Sequence, residues 1–137
     1  MYAEELMARA GFGGTAVLAQ QLKMQLRTTV NAILDVRVHT RGMTEAEGMT
    51  LMTVRGHQEE GEAAGKWWRV LLTSSQLPTY HVGYAAVSDL ARDLADARPQ
   101  LSSQERHDAM LAHGSPPPRH LRSLLLGEAK PPNSVDR

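Results

Sequence analysis

Apolar side chains return every three or four positions along most of this chain. The longest such run is Val17 to Met43, VLAQQLKMQLRTTVNAILDVRVHTRGM. Leu18, Leu22, Leu26, Val30, Ile33 and Leu34 fall on one stripe of an α-helix. Lys23, Arg27, Asn31, Asp35 and His39 fall on another face at a spacing of four. No Gly or Pro interrupts Thr15 to Arg41, and Gly42 follows as a left-handed C-terminal cap would. The pattern predicts one helix about 40 Å long, at roughly 1.5 Å per residue, with the leucine stripe as the surface on which other helices pack.

Shorter segments repeat the period. Tyr2 to Ala10 suits a short helix, broken by Gly11, Gly13 and Gly14. Thr44 and Glu47 have the spacing of a capping box and predict a helix to about Thr53, with Met49 and Met52 inward. Glu59, Glu60 and Glu62 suit the first turn of a further helix, which runs through Trp67, Trp68 and Val70 to Leu72. Pro78 restricts Leu77 to extended geometry and leaves a loop before Thr79. From Thr79 to Ala97, Tyr84, Val87, Leu90, Ala91 and Leu94 form the stripe. Ser102 and Glu105 make a second capping box and open a helix to about His113, with Gly114 as its cap. Leu121, Leu124 and Leu125 give a short last helix behind Pro116 to Pro118. No strand-like alternation occurs. The expectation is an all-α fold, a packed array of about six helices around one long central helix. It forms a single domain over residues 1–126, with a disordered tail at 127–137.

Composition narrows the functions. Lys plus Arg and Asp plus Glu both count 15 in 137 residues, for a formal net charge of zero, which argues against a dedicated nucleic-acid binder. There is no Cys, so no disulfide and no thiolate nucleophile. The first residues, MYAEELMARA, carry acids where a signal peptide needs bases, and no apolar run nears the ~20 residues that span a bilayer. A soluble, cytoplasmic protein is expected. Aromatics make up only 4%, so Leu, Val, Ala and Met must fill the core.

A helical zinc peptidase needs two His one turn apart with a Glu beside the first. The six His are His39, His57, His81, His107, His113 and His120; none precedes a Glu, and no two stand three to five apart. No metal site is therefore expected from this chain alone. Serine chemistry lacks its G-x-S-x-G elbow, and Ser102 and Ser103 fit better as caps. Asp35 and His39, i and i+4 on the long helix, can form an oriented imidazole pair or a plain surface pair that also meets the helix dipole. Tyr80 and His81 follow Pro78 at a helix start, where a Tyr can present its hydroxyl to a cleft or cap a core.

Three stretches carry a resemblance. Leu34-Asp35-Val36-Arg37-Val38-His39 followed by Gly42-Met43-Thr44 resembles V-D-x-x-x-H-x-x-G-W-[ST]. Gln76 to Gly83 resembles Q-A-x-S-Y-x-x-G, and Arg106 to Pro117 resembles F-H-D-x-x-L-x-x-G-S-x-P. Together, in this order and near this spacing, they resemble the C-terminal helical portion of the bacterial domain-of-unknown-function 885 family, a group of zinc-peptidase-like proteins. The match runs from about Tyr2 to Leu126.

The resemblance implies proteins several times longer, whose H-E-x-x-x-x-H type zinc motif lies upstream of the matched part. This chain is expected to complete a peptidase cleft without carrying the metal pair. Asp35, His39, Tyr80, Gly83, His107 and Asp108 carry over, and Asp35, His39, Tyr80 and His107 are the candidate catalytic residues, expected around one polar cleft. Gln25 stands where the family has a Glu that could be a third zinc ligand. Met43 and Arg106 replace the family's Trp and Phe. The resulting expectation is a non-catalytic scaffold, binding or assembly module, with no cofactor unless a partner chain supplies zinc ligands. The alternative is half of a split zinc-dependent peptidase, or a metal-free enzyme reusing the old cleft. A protein partner or self-association is expected through Phe12, Trp67 and Trp68, as is a peptide or small molecule in a residual cleft, with no nucleic acid or membrane partner.

Overall fold

In the computed structural model, which describes residues 1–127, the long stripe folds as one helix, α2, Gly14–Arg41. It ends at Gly42, whose φ of 62° is the left-handed geometry that a residue without Cβ adopts at no steric cost. The chain then takes α1 (Tyr2–Arg9), α3 (Glu45–Thr50), α4 (Glu60–Leu72), α5 (Thr79–Ala97), α6 (Ser103–Leu111) and α7 (Pro118–Leu126). Among the described residues there is no β-strand, so the fold is all-α. Of the tail expected at 127–137, Gly127 is the left-handed cap of α7, and residues 128–137 lie outside the described residues.

Both capping boxes form. Thr44 Oγ1 accepts the Glu47 amide while Glu47 accepts the Thr44 amide at 2.8 Å, and Ser102 and Glu105 do the same. The hydrogen bond from each cap's backbone amide holds the Glu47 and Glu105 carboxyls below the usual carboxylate range. One feature has no sequence signature. Leu51–Arg55 continues α3 as a π-helical turn, closed by the Gly56 amide on the Leu51 carbonyl.

The chain divides into two compact units, Met1–Tyr84 and Ala85 onward, where one domain is expected from the sequence. In the first unit, Val30, Leu34, Met52, Ala63, Trp67, Val70 and Leu77 form the core, with Met43, Met49 and Leu51 packed against it. In the second, Leu90 and Leu94 of α5 pack with Met110, Leu121 and Leu125. Arg98 donates to the Leu125 carbonyl at 2.8 Å, which ties the end of α5 to the end of α7, and Arg122 pairs with Asp93.

The leucine stripe of α2 corrects the sequence reading. Only Val30 and Leu34 of its six members are buried, and Leu18, Leu22, Leu26 and Ile33 are exposed, Leu22 at 53%. The buried positions of the helix are mixed, with Gln21, Thr28 and Asp35 inside beside Val30 and Leu34. The reason lies in the neighbours. Tyr84 and His81 of α5 find their partners in Gln25 and Thr29 of α2, while Glu5 of α1 is met by Tyr84 and Arg9. The tryptophans divide in the same way: Trp67 is 5% exposed and belongs to the core, while Trp68 is 63% exposed. Phe12 is exposed, as expected.

Candidate functional site

The C-terminal half of α2 carries Asp35 and His39 one turn apart, and both reach the loop after α4. Asp35 is 4% exposed, and its Oδ1 accepts the Ser75 amide at 3.1 Å. His39 Nε2 donates to the Thr73 carbonyl at 2.9 Å. The two side chains therefore grip two backbone groups of one loop and do not bond each other. Ser75 has φ 62°, a strained value for a residue with a Cβ. Further bonds fix the loop: Thr73 Oγ1 to the Arg69 carbonyl, Arg69 to Gln76 Oε1 at 3.1 Å, and Thr79 Oγ1 to the Gln76 carbonyl at 2.7 Å. Asp35 Oδ2 is enclosed with no donor beside it.

A second polar run joins α1, α2 and the start of α5. Gln25 Nε2 donates to the Tyr84 hydroxyl at 2.9 Å, Tyr84 donates to Glu5, and Glu5 pairs with Arg9. One turn on, the Thr29 hydroxyl donates to the Gln25 carbonyl at 2.9 Å and lies 3.2 Å from His81 Nδ1. The hydroxyl has a single proton, already given to the carbonyl, so His81 Nδ1 is the donor to Thr29.

These placements revise the candidates. Tyr80, expected to turn its hydroxyl inward, is 70% exposed; Tyr84, one turn later, is the tyrosine that enters the unit. A clue to Tyr84 was present, since it sits in the apolar stripe of α5 with a hydroxyl that burial obliges to bond. Gln25 acts as a hydrogen-bond donor to that hydroxyl. His107 and Asp108 lie on α6, in the second unit. Gly83 lies in α5, with open space where a Cβ would stand.

Among the described residues, no three His, Asp or Glu side chains converge as a metal site. No helix among them is long and apolar enough to cross a membrane.

Between α2 and the α3–π turn runs a groove of about 1100 Å³. Arg37, Arg41 and Arg55 line it together with Glu47 and the apolar Val36, Met43 and Leu51.

A solved structure from Shewanella oneidensis, described as a candidate lipoprotein of unknown function, superposes on this chain with a TM-score of 0.86 at 32% identity. The superposition covers 91% of this chain and 23% of that one, so the chain spans under a quarter of its solved relative. No curated protein matches significantly. The model of the family of bacterial proteins of unknown function termed DUF885 matches residues 1–125, and the chain belongs to that family.

Proposed function

We propose that this chain is a non-catalytic helical module of zinc-peptidase-like ancestry, which braces or assembles rather than cleaves. The observation that carries the reading is the use made of Asp35 and His39. The two polar residues that best suit chemistry are committed to the backbone of the 73–75 loop. The exposed row Leu18, Leu22, Leu26 and Ile33 supports an assembly role, because an apolar stripe on a helix surface marks a protein contact. The small share of the solved relative that the chain covers fits one module of a larger architecture. In this reading the module works in the cytoplasm; fractionation of cells expressing the full gene tests that compartment.

The test is an assay of the purified chain on quenched-fluorescent peptides, with and without added zinc. The expected result is no turnover above buffer, with Asp35→Ala and His39→Ala lowering stability alone. Turnover that disappears in His39→Ala while the fold persists would overturn the reading.

Half of a split zinc hydrolase is the second reading, and Asp35 Oδ2 favours it. A buried carboxylate oxygen without a donor costs about 1–3 kcal/mol or more, and a group from a partner chain would relieve it. Zinc-dependent peptidase activity, appearing only when this chain is mixed with one bearing an H-E-x-x-x-x-H helix, would establish it.

A further inference from the structure

We infer that the groove between α2 and the α3–π turn is a docking site for an acidic, amphipathic peptide segment of a partner protein. This deepens the binding-module reading and rests on it only in taking a polypeptide as the partner. Arg37 and Arg41 stand one turn apart at the end of α2, and Arg55 closes the π-helical turn opposite. None of the three forms an ion pair or side-chain hydrogen bond among the described residues, although Arg9, Arg27, Arg92 and Arg122 are all paired. The one carboxylate of the groove, Glu47, is hydrogen-bonded by the Thr44 amide and hydroxyl, and Arg37 acts on it through charge without forming an ion pair. Three planar forks are thus open to carboxylates that come from outside.

The π turn contributes directly. Leu51 and Arg55, its first and last residues, both line the groove, and single π turns inside helices recur at functional sites. Val36, Met43 and Leu51 give the groove an apolar wall. A small inorganic anion would use the guanidinium groups but leave that wall bare, and the space exceeds what such an ion fills. A single-stranded nucleic acid would look for aromatic stacking surfaces, and the lining holds no Phe, Tyr or Trp. An acidic segment with apolar side chains one helical turn apart satisfies both halves of the groove.

The experiment is fluorescence anisotropy on the full chain with a labelled short peptide of Glu and Leu in helical spacing. Its Gln-for-Glu analogue, a single-stranded oligonucleotide and anionic vesicles serve as the other probes. The acidic peptide should bind, weaken as salt rises, and lose about tenfold or more in affinity to Arg37→Gln/Arg41→Gln and to Arg55→Gln. Lys23→Glu, an exposed α2 position outside the groove, should leave binding unchanged. Circular dichroism confirms that each variant folds, and Arg37→Lys/Arg41→Lys should recover part of the affinity. Equal binding of the Gln analogue, an equal loss in Lys23→Glu, or Arg-dependent binding of the oligonucleotide or vesicles without the peptide would overturn the inference. A silent groove in a chain that also turns over no peptide substrate would remove this inference alone and leave the module reading standing.

Discussion

The Oδ1 atom of Asp35 accepts the backbone amide of Ser75 at 3.1 Å, and this bond holds a loop residue in a conformation it would otherwise avoid. A serine at φ 62° costs of order 1 kcal/mol or more. A hydrogen bond to a charged group contributes about 1.5–3 kcal/mol, which is enough to offset that cost. His39 adds the Thr73 carbonyl on the same loop. The chemistry of the pair is spent on fixing the path from α4 to α5.

Asp35→Ala should therefore lower stability by about 1–2 kcal/mol. Asp35→Asn should lose less, because an amide oxygen can still accept from Ser75. Chemical denaturation read by Trp fluorescence measures both, since Trp67 is in the same core. Equal losses for the two variants would show that charge, rather than the Ser75 bond, is what Asp35 supplies.

The tyrosines should separate cleanly. Tyr84→Phe removes the hydroxyl between Gln25 and Glu5 and leaves the buried Glu5 short of a donor, at about 1–3 kcal/mol. Tyr80→Phe should change stability by less than about 0.5 kcal/mol, as an exposed position does. Thermal denaturation of the two variants side by side gives the comparison.

Two helical glycines should respond with opposite sign to the same substitution. A Cβ at Gly48 would lie 2.7 Å from Cζ3 and 2.8 Å from Cε3 of Trp67, so Gly48→Ala should destabilise by about 1–3 kcal/mol despite its better helix propensity. At Gly65 of α4 nothing lies within 4 Å, and Gly65→Ala should stabilise by about 0.5–1 kcal/mol. Differential scanning fluorimetry resolves both signs, and a stabilised Gly48→Ala would show that Trp67 can move aside.

Lys66 should give stability a pH dependence. Burial, helped by the positive charges of Arg27 and Arg69, lowers its ammonium from 10.5 to about 8, while Gln58 and Glu62 accept its protons. Below about pH 8 the folded and unfolded chains both carry the charge, and the folded chain bears the cost of burying it. Between about 8 and 10.5 the unfolded chain binds the extra proton, so the Lys66 contribution to stability rises with pH. Wild type should gain on Lys66→Gln when denaturation is repeated from neutral pH to near pH 10. A difference that stays flat would show Lys66 to be solvated.

What could be read from the sequence was local. The C-terminal end of α2, both ends of α5, the Gly42 cap and both capping boxes follow from interactions within a few residues, and each formed where expected; α2 itself starts at Gly14, three residues before Val17. The inward set Met52, Leu90 and Leu94 was equally legible, because apolar positions at helical spacing have one place to go. Tertiary structure decided the rest. Leu18, Leu22 and Leu26 look like core along the chain, yet α5 sets Tyr84 and His81 against Gln25 and Thr29, which lie beside those leucines on α2. Asp35 and His39 are one turn apart in any helix, but their partners at Ser75 and Thr73 arrive only when α4 folds back. Periodicity reports which side chains share a face. Which face is buried depends on whether the neighbours bring apolar surface or unpaired donors and acceptors, because an orphaned buried polar group costs more than an exposed leucine.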